Sequence, residues 1–256
     1  MSDSNQNLIP LYRVLILSVP EDPADLTTIL TEELDLNKVD ARILQHNLPG
    51  LIPNAVPQEL AEKLCQRLHD VEGYAIRIAA DEIPNLSKPI HLHHAACADE
   101  GFEIFDLQGN IETTIPYGDL ELLSIGALPT EKSHREVENQ TLVHPSAGPR
   151  TTKVDLPSMM GAEAYLIAEN PFRVYLINQN EMNYAYLEDR KTTSATANFR
   201  LFVDDILAQA RDLYLTPAAR AFTNHGLLNH YQFDSPESLR RHTLFHLLIC
   251  RQMHQQ

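Results

Sequence analysis

Hydrophobic positions follow two different rhythms along this chain, and the change near residue 88 divides it. The run LYRVLILSV (11–19) is apolar and β-rich and ends at Pro20, the pattern of a buried strand. After Pro23, Leu26, Ile29, Leu30 and Leu34 recur at helical spacing. A second helix is expected at 38–45, with Val39, Ile43 and Leu44 on one side. NLPGLIPNAV reads as proline-rich connection in which Ile52 fills a short strand. PQELAEKLCQRLHDVEG carries the strongest helical signal. Pro57 stands in its first turn, Leu60, Leu64, Leu68 and Val71 recur at three or four, and Gly73 marks its end. YAIRIAA then returns as a strand, so residues 10–85 read β-α-α-β-α-β.

Beyond ADEIPNLSKP the period shortens to that of strands. Segments 90–97 and 102–107 flank Asp99-Glu100-Gly101, a three-residue hairpin loop with glycine in its left-handed position. In that register Ala98 faces Phe102 and His94 faces Asp106. IETTI and DLELLSIGAL extend a meander across Pro116-Tyr117-Gly118. Residues 129–161 are polar and rich in Pro, Ser and Thr, an exposed, mobile insertion. Strands resume at AEAYLIAEN and FRVYLINQN. Asn198 is then expected to cap a helix carrying Phe199, Phe202, Val203, Ile206, Leu207 and Ala210 inward. Thr216-Pro217 opens a helix that Asn224-His225-Gly226 closes, and Asp234-Ser235-Pro236-Glu237 opens the last one. The expected fold is α+β: a small β-α-α-β-α-β domain (10–85), an antiparallel β-barrel-like domain (89–214) and a C-terminal helical extension (215–256).

Composition narrows the function. With 43% apolar residues in 256, a sizeable core is available. A net charge of −15 without a basic stripe argues against binding nucleic acid or anionic lipid. Nine glycines and no GxxxxGK[ST] or GxGxxG leave no common phosphate loop. The N-terminus has neither the basic region nor the apolar run of a secretory signal, and no stretch nears the roughly 18 apolar residues of a membrane span. Three scattered cysteines make no disulfide framework. A cytoplasmic protein with reduced thiols is expected.

The first part resembles a known fold. VLILSV, LDLNKVDARIL, PQELAEKLCQRL and GYAIRI together are similar to the C-terminal domain of the bacterial ribosomal stalk protein and to the related adaptor subunit of the Clp protease. The stalk family's glycine-lysine pair is replaced here by Asn37-Lys38, and the adaptor's Asn-Asp-Asp stretch by Ser18-Val19-Pro20-Glu21-Asp22. The resemblance implies a fold that binds other proteins; fold does not fix function. Residues 90–214, through IETTIPYGDLELLSIG, resemble a pleckstrin-homology-like barrel of the bacterial type. Its first hairpin is Ala98-Asp99-Glu100-Gly101, without the basic residues that hold phosphoinositides.

Histidine supplies the candidate chemistry. In HLHHAAC (91–97), His91 and His93 share a strand face and could grip a metal with a facing carboxylate. The expected register denies them one and leaves a His94–Asp106 pair. His242, His246, Cys250 and His254 recur every fourth residue on the last helix, and His242/His246 could chelate. On an apolar helical face, packing is the competing reading. Phe172, Tyr175, Tyr184 and Tyr186 would suit a protein interface, the competing reading being that they fill the core. No GxSxG or CxxC is present, and Asp204-Asp205 reads as a solvated helix face. The expectation is therefore a non-catalytic, adaptor-like protein that needs no cofactor and binds another protein. The alternatives are a metal protein using His242/His246 or His91/His93, and a homo-oligomer assembled through the apolar final helix.

Overall fold

The computed structural model describes residues 10–129, 134–139, 150–155 and 160–254. It is α+β, with several sheets and helices. The chain divides into two units, Met1–Asn85 with Leu244–Gln256, and Leu86–Thr243.

In the first unit, β1 (Leu11–Ser18) is the central strand. Helices α1 (Pro23–Glu33) and α2 (Lys38–His46) follow, capped by the side chains of Asp22 and Asn37. Two short strands, β2 (Gly50–Leu51) and β3 (Val56–Pro57), pair with one side of β1. Ile52 lies just outside β2, buried, with its amide donating to the Val14 carbonyl at 2.8 Å. Helix α3 (Gln58–Asp70) leads to β4 (Tyr74–Ala79), which pairs antiparallel with the other side of β1. The β-α-α-β-α-β order is as read, with the middle strand split in two. After α3, the left-handed residue is Glu72 (φ 63°), just before Gly73. Gly73 is needed for closeness instead: a Cβ there would lie 3.0 Å from the Leu68 carbonyl oxygen.

Val14, Ile16 and Ala75 point from the sheet into a core with Leu26, Leu30, Leu64 and Leu68. Leu15, Ile76 and Ile78 point to the opposite face.

Among its described residues the second unit holds a three-stranded sheet, a five-stranded sheet and a two-stranded one. The three-stranded one is β6 (Ala95–Ala98), β7 (Gly101–Phe105) and β8 (Ile111–Ile115), all antiparallel. The five-stranded one contains β5 (Ile90–Leu92), β9 (Leu120–Pro129), β12 (Met160–Ala168), β13 (Arg173–Asn178) and β14 (Tyr214–Leu215) in the order β14-β9-β12-β13-β5. Its outermost pairs, β13–β5 and β14–β9, are parallel. Among the described residues no sheet closes into a barrel, which corrects the barrel-like expectation. Within the insertion expected at 129–161, β10 (His134–Asn139) and β11 (Arg150–Asp155) pair as a hairpin. The rest of that stretch, 130–133, 140–149 and 156–159, lies outside the described residues.

Helix α4 (Ala195–Gln209) sends Phe199, Phe202, Val203 and Ile206 into the core of this unit. Its cap is Ser194, not Asn198. Asn198 is buried one turn in, where its amide bonds both the N–H and the carbonyl of Thr192. Helix α5 (Pro217–Thr223) is capped by Thr216 as expected. The final helix α6 (Pro236–His254) is shared: its first part belongs to the second unit, and Leu244, Phe245 and Leu248 cover the outer face of β1 and β4 in the first. The separate extension expected at 215–256 does not exist as such, because the apolar sheet face of the first unit needs that cover.

Candidate functional site

The β6–β7 hairpin is tighter than expected. Ala98 pairs with Gly101 and Cys97 with Phe102, so the loop has two residues, Asp99 and Glu100. Gly101 belongs to the ladder, where a Cβ would sit 2.6 Å from the Ile115 carbonyl oxygen on β8. The register thus slips by one, and the expected His94–Asp106 pair does not form. His94 instead stacks on Phe105, with ring centroids 4.4 Å apart. The Asp106 carboxylate accepts the Asn110 side-chain amide and the backbone N–H groups of Asn110 and Gln108, and these bonds lower its pKa. His91 and His93 are both exposed.

On α6, His242 is half-buried beside the Phe233 ring, His246 is buried beside Phe245, and Cys250 is buried. Among the described residues no three His, Cys, Asp or Glu side chains gather where an ion could sit.

The aromatic set is likewise redistributed. Tyr175 and Tyr184 are buried in the core of the second unit, and Tyr186 is half-buried against it. Only Phe172 is exposed. The interface expected from Phe172, Tyr175, Tyr184 and Tyr186 is corrected accordingly: strand alternation turns Tyr175 inward, and Tyr184 donates its hydroxyl to the Gln179 carbonyl at 2.9 Å.

One polar cluster went unread in the sequence. Arg190 grips Asp205 of α4 with two bonds of 2.8 Å, and Tyr186 donates to the same carboxylate at 2.9 Å. Burial alone would raise the Asp205 pKa, but Arg190 and Tyr186 hold it below the usual carboxylate range. Cys97 lies beside this group and Tyr117. Burial, followed by the Asp205 charge, pushes its thiol up to about 12. Burial also raises the hydroxyls of Tyr117 and Tyr186. A thiol so protonated at neutral pH is a poor nucleophile, and the bonds of Arg190 and Tyr186 to Asp205 tie the 185–190 turn to α4. Cys97 sharing a strand face with buried Ala95 was the available signal; the partners lie far away in sequence.

Two surface features of the first unit remain. On α2, Val39 and Ile43 stand one turn apart and exposed, while Ala41 alone is buried. Beside β4 there is an open hollow of about 580 Å³. Its walls are Glu62, Cys65 and His69 from α3, consecutive residues Tyr74–Arg77 from β4, and Gln252 from α6.

Fold and surface together define an α+β chain with apolar and strand-edge surfaces. Comparison with protein-family models, curated proteins and solved structures finds no match for it.

Proposed function

We propose that this chain is a non-catalytic, adaptor-like protein of the cytoplasm that binds another protein through α2. The observation that carries this reading is the exposed pair Val39 and Ile43. Two large apolar side chains at i, i+4, with Lys38, Asp40 and Arg42 exposed beside them, have the composition of a helix face that enters a partner's apolar groove. The N-terminal resemblance to stalk and adaptor domains supports it. So do the high thiol pKa of Cys97 and the inward turn of the tyrosines, which leave the notable polar groups bracing the fold.

A photo-cross-linking amino acid at position 43, used in living cells, tests the proposal. The expected product is one dominant adduct with a different protein, abolished by Val39→Asp while the circular dichroism melt is unchanged. Adducts that survive Val39→Asp, or no adduct, would refute it.

A further inference from the structure

The hollow beside β4 is lined by consecutive residues of that strand together with α3 and Gln252 of α6. β4 pairs with β1 on one side, and among the described residues no strand lies on the other. Five of its six residues, Ala75 to Ala79, pair in register, and the one irregularity, between Ile16 and Ser18, falls on β1 beside Tyr74. The outer edge of β4 carries no proline or lysine, and its one charged residue, Arg77, is paired with Glu62 of α3. We infer that this edge is occupied by the β4 strand of a second copy of this chain, giving a two-fold dimer with one continuous sheet.

Three observations select a second copy. The first is the residue pattern. Antiparallel strands related by a two-fold axis normal to the sheet keep their faces matched, so residues of like parity oppose each other. With the axis at Ile76, Tyr74 meets Ile78, Ile76 meets Ile76, and Ala75 meets Arg77. On one face this makes an uninterrupted apolar row. On the other, the smallest side chain stands opposite the largest. Moving the axis to Arg77 would set two guanidinium groups opposite each other, which disfavours that register.

The second observation is charge. Arg77 is already paired with Glu62 of α3 at 3.2 Å and lies over the Tyr12 ring. The wall therefore has no strong field of its own, and two identical walls can meet without repulsion.

The third is spacing. α3 packs across both β1 and β4. Strands in a sheet lie about 4.8 Å apart, so two α3 helices on a sheet continued through paired β4 strands would stand about 10 Å apart. That is the ordinary distance of packed helices. The exposed side chains of Glu62, Gln66 and His69 would then fill the hollow from both sides.

Sedimentation and light scattering over a concentration series test the dimer, with two variants at Tyr74, an exposed position whose replacement leaves the core intact. The wild-type chain and Tyr74→Phe should dimerise. Tyr74→Lys should weaken the dimer by at least about tenfold while its thermal melt matches that of the wild-type chain diluted to monomer, since it sets an ammonium against Ile78 of the other copy. Maleimide labelling of Cys65, half-buried in the hollow, should be slower in the dimer than in Tyr74→Lys by a similar factor. A wild-type chain that stays monomeric would overturn the inference. So would a dimer that Tyr74→Lys leaves intact, or one in which Cys65 labels equally fast in both proteins. The cross-link at position 43 reads a different surface, so either proposal can fail without the other.

Discussion

Replacing Leu248 with alanine tests whether the end of α6 is part of the first unit. Leu248 is 3% exposed and packs with Leu15 and Ile78, beside Leu244 and Phe245. Truncating a buried leucine costs about 2–5 kcal/mol through lost transfer energy and the cavity left behind. Here the layer is one helix on one sheet face, which can settle inward, so the lower part of that range applies, about 2–3 kcal/mol. For a domain of this size that lowers the melting temperature by about 10–20 °C. The selective readout is amide exchange by mass spectrometry. Loss of about 2–3 kcal/mol speeds exchange through global opening by roughly 30- to 150-fold. Amides of β1 and β4 should show this acceleration, and those of β9 and β12 should not. Met253→Ala, at a 63% exposed position on the same helix, should change little. Unchanged exchange in β1 and β4 would refute the assignment, as would equal acceleration in β9 and β12.

Two further predictions concern the second unit. In the native protein at pH 8, Cys97 should resist iodoacetamide until denaturant is added, because burial keeps its thiol protonated; rapid native alkylation, located by peptide mapping, would contradict the buried setting. Arg190→Ala should cost about 1 kcal/mol, a figure held down by the half-exposed arginine. Asp205 has a folded pKa below its unfolded one, so its ionic stabilisation is complete above the unfolded value of about 3.9 and is lost as pH falls through the folded value. The urea-midpoint gap between wild type and Arg190→Ala should therefore be constant near neutrality and shrink in acid; a gap that widens on acidification would rule this pairing out.

What the sequence disclosed depended on how local the determining contact was. α3 was legible because Leu64 and Leu68 repeat at helical spacing and report their own burial. The cap of α4 was misread because Ser194 and Asn198 are both good caps, and the Thr192 loop that engages Asn198 is set by tertiary packing. The β6–β7 register was missed by one residue for a similar reason. Gly101 looks like a loop glycine, but a third strand, β8, crowds its Cα and draws it into the ladder. Asp205 read as a solvated carboxylate, since nothing nearby on α4 announces Arg190 or Tyr186. The two candidate surfaces divide the same way. Val39 and Ile43 were visible as a pair, and only the coordinates show them exposed.

How the sheets end is the last physical point. Several outer strands are short: β2, β3 and β14 have two residues each, β5 has three and β6 four. β8 is longer, but its ladder is broken by a bulge between Ile104 and Phe105, and Glu112 is exposed upon it. Bulges and charge are the usual means of keeping an edge unpaired. β4, with six residues, is longer than these, borders a hollow, and has its single charge, Arg77, engaged by Glu62 of α3. A six-residue edge beside a hollow has room for a further strand, and the Ile76-centred register lets the same sequence supply it.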